Sequence, residues 1–381
     1  MNTVDSHNFS SGNVLIAAGG TGGHLFPAKA LAEELLRKGL NPGLVTDARG
    51  EQLLRGSNCI SRYIVTSGRI TKRNPIGVLI FVFKMVVGIK EAWSLVRTIR
   101  PVAVVGFGGY ASVPLLVVSK LAGIPLLIHE SNAVVGRANR LLSYLSNVMA
   151  VSFSGTEGVR PGVDATLIQT GTPVRKEIQA LGNVGYQPPC ASSKIHLLVI
   201  GGSQGSKAIA QIVPEAVRNL SQSLRRRLVV NQQIREDDKA SVAKIYTSAG
   251  VTTFLHSFVE NMSSMLEQSH LIIARAGAST IAELAVSGRP SILIPLPGAV
   301  DNHQMYNARK VTDAGGGWLL EEGHLEAGYL AELLTQLLEN PTRLSVAASN
   351  VRLLAKPNAT SCLAEATVRL ASLSAQKKWV R

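Results

Sequence analysis

The sequence contains few cysteines and no secretory leader pattern. Cys59, Cys190 and Cys362 are the three cysteines in 381 residues, and none has a second cysteine or a group of histidines beside it. This spacing excludes a disulfide framework and a zinc site, and it predicts reduced thiols that are mostly buried. Because the first residues lack the basic and apolar regions of a signal peptide, we predict a cytoplasmic protein.

Long apolar runs, aromatic residues and paired aspartates are also scarce. The most apolar stretch, Ile76 to Ile89, is interrupted by Lys84 and is too short to span a bilayer. Aromatic residues make up 5% of the chain, which argues against a module that stacks on nucleic-acid bases. No Asp-x-Asp pair occurs, so we predict no metal and no cofactor, and we expect loop amides to hold any diphosphate.

Acidic residues are nearly absent from one region of the chain. Between Gln52 and Ile128 there are ten lysines and arginines but a single acid, Glu91, in a protein of net charge +14. Such an asymmetric basic surface indicates an anionic partner, either nucleic acid or an acidic membrane. The alternative is a basic surface that serves only solubility.

The sequence does contain a regular alternation of apolar runs and helical patterns. Short runs rich in Val, Ile and Leu are typical of strands that are covered on both faces of a parallel sheet. The fold class is therefore predicted as α/β, and 381 residues with 46% apolar content are enough for two domains. The predicted strands are Asn13–Ala18, Val102–Val105, Pro125–His129, Ile195–Ile200, Arg227–Val230, Leu271–Ala274 and Ser291–Pro295.

The two halves of the chain begin alike. Segments 14–35 and 197–217 each give a strand, a Gly-Gly-Thr or Gly-Gly-Ser turn and a helix, which predicts two successive nucleotide-fold domains. Segment 182–193, rich in Gly, Pro and Ser, is predicted as a loop. Asn358 is suited to cap a last helix that could pack on the first domain. The apolar side of that helix would carry Leu363, Leu370 and Leu373.

The two glycine-rich turns are candidate anion sites. Each lies between a predicted strand and a helix, where backbone amides and the positive helix end can hold a phosphate. The first departs from the dinucleotide fingerprint at Leu25, and the second has Ser206 where a P-loop requires glycine. Neither a dinucleotide enzyme nor an NTPase is supported. Contact with an anionic ligand and a simple tight turn both stay open.

A third segment, 274–283, predicts a diphosphate and ribose site. It places Gly277, Ser279 and Thr280 at the start of a helix, where amides could bind a diphosphate. Glu283 could accept hydrogen bonds from both ribose hydroxyls. The alternative is that Glu283 only offsets the helix dipole. The polar loop 295–304 follows a predicted strand and is suited to lining a cleft.

Seven short motifs recur in a fixed order along the chain. They are GGTGGH (19–24), GFGGY (106–110), HESN (129–132), GTPVR (171–175), GGSQG (201–205), RAGASTIAE (275–283) and DNHQ (301–304). In order and approximate spacing they resemble the MurG family of bacterial peptidoglycan glycosyltransferases, and the resemblance runs over nearly the whole chain. Ser131 and Thr172 replace the Gln and Asn that are common in that family.

The resemblance implies a GT-B glycosyltransferase, with two Rossmann-like parallel-sheet domains facing each other across a cleft. Residues 1–170 with the C-terminal helix 357–381 would form the acceptor and membrane-facing domain, and residues 171–356 the donor-binding domain. The implied reaction is inverting transfer of N-acetylglucosamine from UDP-N-acetylglucosamine to the C4 hydroxyl of undecaprenyl-pyrophosphoryl-N-acetylmuramyl-pentapeptide. This step converts lipid I to lipid II in peptidoglycan synthesis. The alternative of the same architecture is a UDP-N-acetylglucosamine 2-epimerase.

The resemblance also implies residue roles. His24 is the predicted catalytic base, because histidine accepts protons near neutral pH, and Glu130 is the alternative base. Tyr110 and His129 would lie on the acceptor side. The predicted donor-binding residues are Thr21, Gly22, Gly23, Asn132, Arg175, Ser203, Val259, Ala278, Ser279, Thr280, Ile281, Ala282, Glu283 and Gln304.

The apolar segment 75–90 predicts a membrane contact. As a helix it has more apolar residues than one packed face requires, so part of it should be exposed, with a fully buried helix as the alternative. Basic residues flank it, which suits shallow insertion into an anionic membrane. We therefore predict a peripheral protein on the cytoplasmic face of the plasma (inner) membrane, with UDP-N-acetylglucosamine, lipid I and other cell-wall synthesis proteins as partners. The flanking residues are Arg69, Lys72, Arg73, Arg97 and Arg100.

Overall fold

The computed structural model describes residues 12–53, 60–68, 75–159, 165–202 and 205–378. These residues divide into two compact units. Unit 1 takes its residues from Met1–Ser131, Val135–Pro173 and Asn358–Arg381, and unit 2 from Asn132–Val134 and Val174–Pro357. The boundary near residue 173 lies three residues after the one that the sequence predicted, and the short segment Asn132–Val134 was not predicted to belong with the second half.

Unit 1 is built on a parallel sheet in which seven strands are described, in the order β3-β2-β1-β4-β5-β6-β7. The strands are β1 (Asn13–Ala17), β2 (Asn41–Thr46), β3 (Ser61–Ile64), β4 (Ala103–Gly106), β5 (Leu126–Glu130), β6 (Val148–Val151) and β7 (Thr166–Gln169). The helices are α1 (Gly22–Arg37), α2 (Ala48–Leu53), α3 (Pro75–Ile99), α4 (Ser112–Leu121), α5 (Arg137–Leu142) and, from the end of the chain, α15 (Ala359–Lys378).

Unit 2 has a second parallel sheet, with six described strands in the order β10-β9-β8-β11-β12-β13. The strands are β8 (Ile195–Ile200), β9 (Leu228–Gln233), β10 (Thr252–His256), β11 (Leu271–Ala274), β12 (Ser291–Leu293) and β13 (Gly317–Leu319). The helices are α6 (Lys176–Gln179), α7 (Lys207–Arg218), α8 (Gln222–Arg227), α9 (Glu236–Ser248), α10 (Met262–Gln268), α11 (Ala278–Ser287), α12 (His303–Asp313), α13 (Ala327–Leu338) and α14 (Pro341–Arg352). Three 3-10 turns are Ala180–Asn183, Val300–Asn302 and Glu322–His324.

The core of each unit lies on both faces of its sheet, as the apolar strands require. In β1, Val14 and Ile16 join the core that contains α1 and α15, whereas Leu15 and Ala17 join the core that contains α3 and α4. This alternation follows from the two-residue period of a strand. Leu363 and Leu370 of α15 are buried in the core of unit 1, so the last helix packs on the first sheet.

All seven predicted strands are present, with bounds that shift by up to three residues. The predicted last helix begins at Ala359, directly after Asn358, and segment 182–193 is a loop apart from the end of the turn Ala180–Asn183. The prediction of buried thiols is wrong for two cysteines, since Cys190 and Cys362 are free and exposed. Both lie outside the apolar cores. Cys59 lies outside the described residues.

Helix α3 extends over 25 residues, from Pro75 to Ile99. None of the helices in the described ranges combines the length and apolar character needed to cross a membrane. Much of the apolar surface of α3 is exposed, including Leu79 at 71% and Phe83 at 68%. The alternative of a fully buried helix is therefore wrong. Of the predicted basic flank, Arg69, Lys72 and Arg73 lie outside the described residues.

Candidate active site

Two glycine-rich loops of unit 1 meet at the carboxyl ends of neighbouring strands. β1 and β4 are paired, so the loops that follow them leave the same edge of the sheet. The Gly19 amide donates a 3.2 Å hydrogen bond to the carbonyl oxygen of Gly108. A Cβ atom at Gly109, where φ is +77°, would lie 3.1 Å from Cα of Gly19, so both positions need glycine for this approach. The first two motifs thus form one surface.

His24 lies on that surface, in the first turn of α1. Its side chain is half-buried, and Nδ1 lies 3.0 Å from Oγ1 of Thr21, the residue that precedes the helix. When Nδ1–H donates to this hydroxyl, Nε2 carries the lone pair that can accept a proton. Thr21 and the backbone of Gly22 and Gly23 lie beside His24.

Tyr110 follows the second glycine loop and is 38% exposed. Its ring makes an edge-to-face contact with Phe81 of α3, with ring centroids 6.0 Å apart. The Tyr110 hydroxyl is thus carried by a ring that is packed on one side and open to solvent on another, which suits a residue that meets a bound molecule.

His129 and Glu130, at the end of β5, are buried instead. Nε2 of His129 donates to the carbonyl oxygen of Gly171 at 2.9 Å, and Nδ1 lies 3.2 Å from the hydroxyl of Ser131. Oε2 of Glu130 accepts hydrogen bonds from the Gly136 amide and the Asn139 amide group, both at 2.9 Å. Both side chains therefore hold the HESN loop in shape, and their predicted roles in acceptor binding and as the alternative base stay predictions.

Burial lowers the pKa of His129 to about 4, with the hydrogen bond to Gly171 opposing the shift. The pKa of an unfolded histidine is near 6.5, so folding favours the neutral ring. This contribution to stability is complete above pH 6.5 and is lost as the pH falls toward 4.

We predict that protonation of His129 alone lowers the free energy of unfolding of unit 1 by roughly 3 kcal/mol when the pH falls from 7 to 4. Urea unfolding of the wild type and of His129→Gln at several pH values measures the difference. The variant should be less stable at pH 7 and have a shallower pH dependence, and parallel curves would contradict the prediction.

A buried asparagine in unit 2 organises the Asn132 segment. Nδ2 of Asn307 donates to Oδ1 of Asn132 and to the carbonyl oxygen of Ala276, both at 3.1 Å, and its Oδ1 accepts from the Ala133 amide at 2.8 Å. Asn307 is completely buried. Sequence reasoning missed it, although it lies one helical turn after Gln304 of the DNHQ motif. It places the end of the HESN motif beside the loop that precedes α11.

The second glycine turn is held by a buried arginine. The Ser206 hydroxyl caps α7 by accepting from the Ile209 amide at 3.3 Å, and it also accepts from Arg275 at 2.7 Å. Arg275 donates further to the carbonyl oxygens of Ile294 and Pro295, and it pairs with Glu322. Sequence reasoning gave Arg275 no role. Ser203, the predicted diphosphate ligand, lies outside the described residues.

The first turn of α11 presents backbone amides at the carboxyl end of β11. Gly277 precedes the helix and offers no capping side chain, so the first amides are open to an anion. Ser279 and Thr280 are half-buried in this turn. Ala278 is also in this turn, and Ile281 and Ala282 follow directly; the Ile281 amide donates to the carbonyl oxygen of Gly277 at 2.9 Å.

Glu283 forms an ion pair with Arg175 within unit 2. Oε1 of Glu283 accepts from a guanidinium nitrogen of Arg175 at 3.0 Å, and the two side chains are 15% and 28% exposed. Burial raises the pKa of Glu283, and Arg175 opposes the shift. The structure thus brings together two predicted donor-binding residues that are 108 positions apart. It also shows that Glu283 does more than offset a helix dipole.

The remaining predicted residues of unit 2 are Val259, on a loop, and Gln304, at the start of a helix. Val259 follows β10 and is 5% exposed, so its backbone is the part that could meet a base. Gln304, in the first turn of α12, accepts from the Leu296 amide through Oε1 at 2.9 Å. The loop before it contains Asp301 and Asn302, both with φ near +50°. No group of three or more metal-ligating side chains occurs in the part of the chain that the structure describes.

Comparison with known proteins identifies the family. Residues 14–151 match the glycosyltransferase family 28 N-terminal domain, and residues 196–363 match its C-terminal domain. The chain is 42% identical, over 94% of its length and 96% of the relative, to the UDP-N-acetylglucosamine–N-acetylmuramyl-(pentapeptide) pyrophosphoryl-undecaprenol N-acetylglucosamine transferase of Paramagnetospirillum magneticum. The Rhodospirillum rubrum protein of the same name is also 42% identical, over 93% of this chain and 90% of its own.

The chain belongs to the MurG family of glycosyltransferases. The crystal structure of MurG from Acinetobacter baumannii agrees, with a TM-score of 0.75, 29% identity and coverage of 94% of this chain and all of that one. The fold is GT-B, as the motifs predicted. A UDP-N-acetylglucosamine 2-epimerase from Neisseria meningitidis has a TM-score of 0.67 but 15% identity, over 94% of this chain and all of that one. That likeness shows the fold alone, so the epimerase alternative is less supported than membership of the MurG family.

Proposed function

We propose that this chain transfers N-acetylglucosamine from UDP-N-acetylglucosamine to lipid I, forming lipid II. The observation that carries the proposal is identity of about 40% over some 94% of the chain to transferases of that name. The placement of the motifs supports it, because they follow the carboxyl ends of parallel strands in both units, where α/β sheets bind ligands. Contacts with other cell-wall synthesis proteins belong to the same proposal.

The donor is proposed to bind to unit 2. The amides at the start of α11 and the glycine turn held by Arg275 would take the diphosphate. Glu283 would accept hydrogen bonds from the ribose hydroxyls, and Arg175, its partner at 3.0 Å, would be close enough to reach the diphosphate. The backbone of Val259 would meet the uracil.

The chemistry is an inverting displacement. The C4 hydroxyl oxygen of the N-acetylmuramyl sugar forms a bond to C1 of the donor sugar, while the bond from C1 to the diphosphate oxygen breaks and UDP leaves with the electron pair. His24 takes the hydroxyl proton as the bond forms. The amides at the start of α11 and Arg175 stabilise the negative charge that develops on the leaving diphosphate.

Transfer is tested by incubating the protein with labelled UDP-N-acetylglucosamine and a short-chain, water-soluble analogue of lipid I. We expect the label to appear in a disaccharide product and UDP to be released in equal amount. Conversion of the donor to its C2 epimer without transfer would support the epimerase instead, and absence of any reaction would overturn both.

We also propose that α3 binds the cytoplasmic face of the membrane. Seven large apolar side chains of its first three turns are exposed, and Lys84 and Lys90 lie on the same helix. Apolar side chains in the bilayer boundary with basic groups on anionic head groups make a peripheral contact. The exposed side chains are Ile76, Val78, Leu79, Ile80, Val82, Phe83 and Val86.

We predict that Leu79→Ser combined with Phe83→Ser lowers binding to anionic vesicles by about tenfold or more, because two large side chains no longer enter the bilayer. Co-sedimentation measures the binding, which should also weaken as salt screens the basic residues. Leu353→Ser is the matched control, since Leu353 is 79% exposed but lies in unit 2. Equal loss in the control, or equal binding of the wild type to neutral vesicles, would contradict the proposed contact.

A further inference from the structure

Among the large apolar residues of α3 between Ile76 and Phe83, Phe81 alone is not exposed. Its neighbours Val82 and Phe83 are exposed, whereas Phe81 is half-buried and packs edge-to-face on Tyr110, with the ring planes at 81°. This geometry is the favourable one for an aromatic pair, because the positive ring edge meets the negative ring face. One turn of α3 therefore presents apolar groups to solvent and one aromatic ring to the loop after β4.

Close packing of α3 on the segment that follows β3 holds this contact in place. A Cβ atom at Gly68 would lie 2.7 Å from the Phe81 ring, so the chain after β3 packs directly on Phe81 only because residue 68 is glycine. A Cβ atom at Gly88 would lie 2.1 Å from the Thr66 carbonyl oxygen, so the helix backbone also approaches that segment closely. Two close approaches, one at Phe81 and one at Gly88, thus hold α3 against the segment that follows β3.

Tyr110 in turn is tied to the loop of the catalytic base. It follows Gly108 and Gly109, and those glycines contact Gly19, which lies five residues before His24. The sequence of contacts from Phe81 to Tyr110 and on to the His24 loop lies entirely within unit 1.

We propose that Phe81 is a positioning residue for Tyr110, and that it links the membrane-facing helix to the acceptor side of the active site. The inference rests on the proposed function, in which Tyr110 meets the lipid-linked acceptor. Phe81 itself does not touch the substrate. It holds the Tyr110 ring where the acceptor sugar is received.

A double-mutant cycle with Phe81→Leu and Tyr110→Leu tests the proposal on the short-chain soluble acceptor, which needs no membrane. Phe81→Leu should raise the acceptor KM by about three- to tenfold, the range expected for loss of an aromatic pair, with the donor KM and the Tm unchanged. In the Tyr110→Leu background the same substitution should have no further effect. Phe81→Trp, which keeps an aromatic edge, should restore most of the acceptor affinity.

Trp93→Leu is the matched control, because Trp93 is a partly exposed aromatic of the same helix that packs with Arg97 rather than Tyr110. It should leave the acceptor KM unchanged. Equal fold-changes for Phe81→Leu with and without the Tyr110 ring would overturn the proposal, as would a parallel rise in the donor KM.

Folding defects are separated by a second substitution, Phe81→Met, which keeps the apolar volume. If Phe81→Leu and Phe81→Met both have a Tm well below that of the wild type, the contact serves folding and the proposal is wrong. Transfer by the wild type in the same assay reports on the proposed function. If the wild type transfers sugar while the effects of Phe81→Leu and Tyr110→Leu are additive, the proposed function stands and only the proposed role of Phe81 is wrong.

Discussion

Replacing His24 with alanine should lower kcat by about 10²- to 10⁴-fold while leaving the donor KM within a few-fold of the wild type. A general base acts in the transition state, when the acceptor hydroxyl loses its proton, so its loss affects turnover more than binding. Steady-state kinetics with saturating soluble acceptor measures the effect, and the Tm shows that the variant is folded.

Two further variants separate this role from its alternatives. Thr21→Val removes the hydroxyl that lies 3.0 Å from Nδ1, so it should cause a smaller loss and a change in the pH dependence of kcat. Glu130→Gln removes the charge of the alternative base while keeping groups that can bond to Gly136. A folded His24→Ala variant with near-normal kcat would exclude His24 as the base, and a large loss in Glu130→Gln would then favour Glu130.

Glu283→Ala should raise the donor KM by about tenfold or more. Each charge-assisted hydrogen bond to a ribose hydroxyl contributes roughly 1.5 to 3 kcal/mol, and the alanine variant loses these bonds. It also loses the ion pair between Glu283 and Arg175. Titration with UDP-N-acetylglucosamine, by calorimetry and by initial rates, measures the change.

The ribose assignment is tested separately from the ion pair. The 2′-deoxyribose analogue of the donor already lacks one hydroxyl, so Glu283→Ala should cost it less affinity than it costs the natural donor. Equal losses for both donors would show that Glu283 acts through Arg175 alone. Glu283→Gln keeps an acceptor oxygen without the charge and should fall between the wild type and Glu283→Ala.

The strands that pattern reading missed are mostly those at the edges of the sheets. β3, β7, β10 and β13 are edge strands, and their residues are largely exposed or half-buried. A strand that is covered on both faces requires a continuous apolar run, whereas an edge strand does not, so its sequence is similar to that of a loop. Two interior strands were also missed: β2, which contains Pro42 and Gly43, residues that are uncommon in strands, and β6, which is only four residues long.

In the site, the sequence placed the glycine turns and the start of α11, because a strand, a glycine-rich turn and a helix recur as a local pattern. It did not find Asn307 or Arg275, which act through hydrogen bonds to residues 19 to 175 positions away. Nor did it distinguish Phe81 from Phe83, which lie two positions apart on one apolar helix. Pattern along the chain carries no information on which neighbour a side chain meets.

The amino-acid sequence by itself determined the α/β class, the two parallel sheets and the family, because buried strands and ligand-binding turns impose local residue types that can be recognised without coordinates. The tertiary structure alone decided that His129 and Glu130 are buried supports of a loop, that Glu283 pairs with Arg175, and that Phe81 packs on Tyr110. Each of these depends on residues brought together by the pairing of strands and the packing of helices. Burial, hydrogen-bond partners and pKa depend on the residues that the folded chain places around a side chain. A histidine or glutamate in the sequence is therefore compatible with either a structural or a catalytic role.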